Sequence, residues 1–316
     1  MNTGYREAGV RRQLAVLDAP SNLGLRPPAP GIEPGARKLA AALRSRDLVQ
    51  RLGARDAGGV PAPPYEPGPD HVVGYRNGTA LAAYTLELAD AVERELATEA
   101  GELLVVLGGD CSVVLGPLLA LRRRGRYGVA FVDAHDDYSP PLDPDRYAGL
   151  CTAAGLDLAL ATGHGPPALV DLEHLRPYVR EDDVVHLGLV REPGDATYAD
   201  VAAFEASAIR RYSAEQIRGD GAVTLTQRAA DELAAAELGG FWVHLDADVL
   251  DETIMPAVDS PNSGGLTADE LTDVLGLLLS SPAAVGMDVC IYDPHLDATG
   301  AAGDLLADVV VSALGR

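Results

Sequence analysis

Three carboxylates and an imidazole fall within five residues at Asp133, His135, Asp136 and Asp137, in the run G-V-A-F-V-D-A-H-D-D-Y from Gly128 to Tyr138. Like charges this close repel, and burying even one unpaired costs several kcal/mol, so a cation is the natural compensation. A second acidic run, H-L-D-A-D-V-L-D from His244 to Asp251, follows another apolar stretch and places Asp246 and Asp248 two residues apart, as Asp133 and His135 are. Residues at that spacing project from one face of a strand. Four carboxylates and one imidazole from two strand ends could bind two divalent cations, with one or two carboxylates bridging. Such a set suits manganese or another octahedral metal better than zinc–thiolate chemistry. Two metals side by side lower the pKa of a shared water and polarise the group it attacks. Either run alone also reads as a helix cap or a solvated turn; their joint occurrence points to metal.

The elements that position these residues follow from apolar periodicity. Buried strands are expected over 14–18, 103–107, 128–132, 184–189, 241–245 and 285–291. Helices are expected over 34–52, 78–99, 113–123, 153–161, 198–211, 227–237, 267–280 and 300–314, and residues 53–74 read as a Gly/Pro-rich loop. Strands alternating with helices predict a parallel sheet covered on both faces, and unbroken apolar strands such as L-L-V-V-L agree. In such sheets ligands bind outside the carboxyl ends of the strands, so the polar clusters should converge in one crevice.

No linker divides the chain, which reads as a polar, flexible segment over 1–12 and a single domain over 13–316. Composition is ordinary for a globular protein, 47% hydrophobic and 23% charged. A formal charge of −22 argues against nucleic acid or an anionic membrane as partner, since both would repel it. Neither a leader-like N-terminus nor an 18-residue apolar run is present, and a cytoplasmic location is expected. The three cysteines, Cys111, Cys151 and Cys290, are an odd number at wide spacing and predict no disulfide framework.

The chain resembles the ureohydrolases, the family of arginase and agmatinase, over nearly its whole length. G-G-D-C-S at Gly108 to Ser112 is similar to the family's G-G-D-H-S, D-A-H-D-D at Asp133 to Asp137 to D-A-H-x-D, and D-A-D-V-L-D at Asp246 to Asp251 to D-x-D-x-x-D. The segment Pro256 to Leu266, P-A-V-D-S-P-N-S-G-G-L, resembles the family's stretch behind the third motif. The resemblance implies a three-layer α/β/α sandwich with a parallel, roughly eight-stranded sheet. It implies bridging ligands Asp133 and Asp246, one metal completed by Asp137 and the residue at Cys111, and the other by His135 and Asp248. It further implies a metal-bridging hydroxide that attacks a guanidinium carbon, with Asp137 relaying its proton, to release urea or a substituted urea and an amine. Two manganese ions and a homo-oligomer, trimeric or hexameric, are implied as well.

Three departures from the family pattern bear on metal and substrate. Cys111 stands where the family has a histidine ligand; a soft thiolate there shifts preference toward zinc, iron or cobalt. Ile291 stands where a glutamate pairs with the guanidinium, which removes a charge-assisted contact and suggests a modified guanidine such as a hydroxyguanidine. Asp293 or Asp288 could compensate, though each also reads as structural. Ala154 occupies the place of the proton-shuttle histidine, with His164 further along the loop. Arg191 and Glu192 fall where relatives contact the far end of the substrate. His244 reads either as a partner orienting a carboxylate or as a packed core residue, and His186 as core. Two other readings stay open: a degenerate relative acting as a binding or regulatory subunit, and a metal-dependent amide deacylase.

Overall fold

The computed structural model describes residues 12–97, 102–138, 149–190, 201–234 and 237–315. Eight strands form one sheet: β1 Leu14–Asp18, β2 Arg55–Gly59, β3 Leu103–Leu107, β4 Gly128–Val132, β5 Val184–Leu189, β6 Arg210–Ser213, β7 Phe241–Asp246 and β8 Ala284–Cys290. Their order is β2-β1-β3-β8-β7-β4-β5-β6, and every pairing is parallel. Residues of β3, β4, β5 and β7 are buried on both faces, as helices on the two sides of a sheet require.

The covering helices form two contiguous sets. In one, α3 (Gly78–Leu96) packs on α4 (Leu115–Arg124), which adjoins α5 (Asp157–Ala161) and, through it, α6 (Pro167–Val170). In the other, α1 (Leu39–Arg44) and α2 (Leu48–Leu52) meet α11 (Ala301–Leu314), followed by α10 (Ala268–Ser280), α9 (Ala222–Leu233) and α8 (Ala214–Asp220). This is the expected α/β/α sandwich. The short α7, Val201–Ala206, precedes β6. Among the described residues no helix is long and apolar enough to cross a membrane.

Several expected elements are redrawn. Two strands escape the apolar pattern, β2 within the expected loop 53–74 and β6, which begins at the end of the expected helix 198–211 and runs past it. Both are sheet edges, with one neighbouring strand each. An edge strand needs no continuous apolar run, and R-D-A-G-G and R-R-Y-S have none. The helix expected over 34–52 is cut into a 3₁₀ turn, α1 and α2, with Asp47 and Gly53 at positive φ bounding the last piece. Only the second half of 153–161 is helical. The helix expected from 227 begins earlier, as α8 and α9, where Ser213 and Gln216 form a reciprocal cap.

Strands β3 and β4 are consecutive in the chain yet separated in the sheet by β8 and β7. Chain direction across the sheet therefore reverses around the four central strands. Their carboxyl ends open the crevice where such sheets place their ligands.

Candidate metal centre

The turn after β3 aims Cys111. Asp110 caps the 3₁₀ turn Cys111–Val114 by accepting the Ser112 N–H at 3.0 Å, and its other oxygen accepts the Ser21 hydroxyl at 2.9 Å. Gly109 is held because a Cβ there would lie 1.7 Å from the Ser21 carbonyl oxygen. The fully buried Cys111 thiol donates to Asp246 Oδ2 at 2.8 Å. Burial first, then Cys290 and Asp246, raises its pKa well above the ordinary thiol value, so in the metal-free protein it is a neutral donor.

Asp133 follows β4 and is fully buried, one oxygen accepting the His135 N–H at 2.6 Å. Asp246 ends β7 and accepts the Asp248 N–H at 2.7 Å. The two strand ends meet at His135, whose Nδ1 lies 3.0 Å from Asp248 Oδ2 and 3.7 Å from Asp133 Oδ1. Asp137 is buried and held at φ 42, a costly angle for a residue with a side chain. The third acid of D-A-D-V-L-D has a different task. Asp251 accepts N–H groups of Thr253 and Gly264, pinning the 256–266 segment under the turn.

These groups strain one another without a cation. Burial, followed by neighbouring carboxylates, pushes Asp133, Asp137 and Asp246 well above the usual carboxylate range. Burial alone would keep His135 neutral, but Asp248 and Asp133 outweigh it and raise its pKa to about 10. Asp133 Oδ2 and Asp248 Oδ1 are buried with no hydrogen-bond partner. Asp133, His135 and Asp248 each offer an atom within 4.8 Å of the others, and so do Cys111, Asp133 and His244. Orphaned buried oxygens, an imidazole and a thiol in one crevice fit divalent cations.

The structure thus brings together Cys111, Asp133, His135, Asp137, Asp246 and Asp248. Asp293 lies apart: its oxygens accept the N–H groups of Gly35 and His295, each at 2.8 Å. Arg191 and Glu192 lie outside the described residues. Ala154 is buried, its N–H given to the Gly24 carbonyl, and His164 joins Tyr138 and Glu181 in a partly exposed cluster. None of Cys111, Cys151 and Cys290 is in a disulfide.

Sequence reasoning missed Asp157. At the start of α5 it is fully buried, and neither oxygen receives a hydrogen bond from an ordinary donor. It faces the Asp137 carboxyl, which can bond to it only while one of the two holds a proton. Burial, opposed by His244 and Asp137, sets its pKa at about 7. Its signal was a lone carboxylate in the apolar stretch A-A-G-L-D-L-A-L-A.

A parallel α/β sheet with paired acidic runs at its switch point defines a class of α/β protein suited to holding divalent cations. The chain belongs to the arginase family, whose pattern matches residues 12–315. It is 25% identical over 312 residues to the arginase of Bacillus subtilis (strain 168), covering 96% of this chain and 98% of that one. To mitochondrial arginase-2 of Rattus norvegicus it is 26% identical over 316 residues, covering 96% and 85%. The native arginase structure from Bacillus caldovelox superposes with a TM-score of 0.82 at 23% identity, covering 96% and 99%. The chain is accordingly a metal-dependent hydrolase acting on guanidino C–N bonds.

Proposed function

We propose that this enzyme hydrolyses a substituted guanidine or amidine, such as a hydroxyguanidine, releasing a urea or substituted urea and an amine. The observation that carries the reading is the meeting of Asp133, His135 and Asp248, with Asp246 beside them and with unpartnered buried oxygens on Asp133 and Asp248. Asp133 and Asp246 would be shared between two cations, Cys111 and Asp137 would serve one, and His135 and Asp248 the other. When bound, the cations supply a water acidic enough to be hydroxide at neutral pH and charge to polarise the carbon it attacks.

The chain's own residues supply the rest. Asp137, held over the crevice, accepts the proton of the attacking water and returns it to the leaving amine. In the metal-free protein burial and the neighbouring carboxylates raise its pKa. Ile291, buried at the carboxyl end of β8 and tied through its N–H to the Gly109 carbonyl at 2.7 Å, offers no charge to a guanidinium. A strongly basic head group would lose a charge-assisted pair there.

The test is release of urea or substituted urea across a panel of guanidines and amidines, with metal content measured in the same preparation. Turnover of arginine or agmatine above that of substituted guanidines defeats the substrate assignment. Absence of bound divalent metal defeats the centre itself.

A further inference from the structure

We propose that His244 Nε2 is a ligand of the cation on the Cys111 side of the centre, an imidazole supplied from within β7 in place of the one that Cys111 does not provide. The inference rests on the metal-centre reading above and names a ligand outside the three motifs.

Four observations carry it. His244 lies two residues before Asp246 on β7 and so faces the same side, one step deeper. Its ring is fixed: Nδ1 lies 2.6 Å from Oδ2 of Asp288, its registered neighbour on β8, and Phe131 packs against it at 4.4 Å between ring centroids. Asp288 is itself held by the Trp242 indole N–H at 2.5 Å. A carboxylate at Nδ1 leaves the proton there and turns the Nε2 lone pair outward, the arrangement that orients ligating histidines.

Nε2 is fully buried and makes no hydrogen bond; the nearest carboxylate oxygen, on Asp157, is 3.9 Å away. An unpartnered nitrogen in such a place wants a proton or a metal. One nitrogen of His244, the Cys111 sulfur and an Asp133 oxygen lie within 4.8 Å of one another. Ligands on opposite sides of one ion at thiolate and imidazole bond lengths stand about 4.4 Å apart. Since Nδ1 is engaged by Asp288, Nε2 is the atom available. Asp157, with both oxygens lacking a donor, then stands beside the same cation as a further acid.

The competing role is an imidazolium that neutralises the carboxylates. In the metal-free protein burial opposes that charge, but Asp288, Asp157 and Asp133 outweigh it and raise the His244 pKa to about 9. The two roles differ in what removing the ring does. Loss of a ligand weakens one metal site; loss of a competing cation leaves metal binding unchanged or strengthens it.

The experiment loads the full chain with cobalt or zinc and counts imidazoles by X-ray absorption fine structure, beside elemental analysis. Wild type is expected to show two imidazoles across two metals, from His135 and His244. His244→Gln should show one and lose occupancy at one site. Asp288→Asn, which keeps the ring but frees it, should weaken that site by roughly 10- to 100-fold. Two bound metals sharing one imidazole in wild type would overturn the proposal without any variant, as would His244→Gln retaining both metals at unchanged or higher affinity. Wild type binding no divalent metal would instead overturn the metal-centre reading, and this one with it.

Discussion

Nδ1 of His135 lies 3.0 Å from Oδ2 of Asp248, which joins the turn after β4 to the turn after β7. Neither residue gains from facing the other across dry protein unless the pair is charged or shares a cation. Around them, carboxylates are buried faster than donors are supplied: Asp133 Oδ2, Asp248 Oδ1 and both oxygens of Asp157 lack partners. The cluster is built at a cost to the fold, which the proposed cations would offset.

Replacing Asp133 by Asn separates that cost from its purpose. A carboxylate whose folded pKa is raised destabilises the metal-free fold once pH exceeds its unfolded value, and burial with Asp248 raises that of Asp133. Chelated Asp133→Asn should therefore unfold at higher denaturant than chelated wild type at pH 8. With metal present the order should reverse, because cations bound at 100 times their dissociation constant add about 2.7 kcal/mol per site and the variant forfeits this. Its kcat/KM should fall about a thousandfold or more, ~4 kcal/mol. Equal stability of the two chelated proteins would contradict the electrostatic account.

The candidate site was legible in sequence because its residues are clustered and chemically odd: no packing rule asks for D-A-H-D-D at the end of G-V-A-F-V. The six central strands were legible for the complementary reason, since burial on both faces demands unbroken apolar runs. Edge strands β2 and β6 were hidden because half their surroundings are solvent. Asp157 and the exact setting of His244 were hidden because each is a single polar residue in an apolar element, and only the tertiary fold shows what it faces. His186 was read as core and is buried, but its tie to the His135 backbone could not be seen from V-V-H-L-G-L.

Gly109→Ala tests how Cys111 is aimed. The added Cβ would lie 1.7 Å from the Ser21 carbonyl, a backbone atom that cannot swing aside. We expect a loss of about 2–4 kcal/mol in stability. We also expect selective loss of the cation on the Cys111 side, with the one at His135 and Asp248 retained. Elemental analysis beside chemical denaturation reads both; simultaneous loss of both metals with no change in stability would sink the account.

His186 predicts a pH dependence. Its Nε2 donates to the His135 carbonyl at 2.6 Å, and burial lowers its pKa to about 4 from the ordinary histidine value. A depressed histidine pKa means the unfolded chain takes up the proton first, so its stabilising contribution is whole above about pH 6.5 and is lost as pH falls toward 4. For the chelated protein, wild type should lose about 3 kcal/mol more than His186→Gln between pH 7 and pH 4. Parallel stability curves would show that the ring protonates without penalty.

Ile291 decides the substrate. It sits at φ 74, an angle β-branched residues strongly avoid, so glutamate at this position is sterically easier than the residue present. Its N–H is tied to the carbonyl of Gly109, two residues before Cys111, which fixes its backbone beside the turn that carries Cys111. Ile291→Glu should restore a charged acceptor for a basic head group, worth about 1.5–3 kcal/mol in a hydrogen bond to a charged partner. The ratio of kcat/KM for arginine or agmatine over a hydroxyguanidine should then rise roughly 10- to 100-fold, with metal content unchanged. A ratio that does not move, in a variant that still binds both metals, would mean that residue 291 does not face the reacting head group, and the case for a less basic substrate would fall with it.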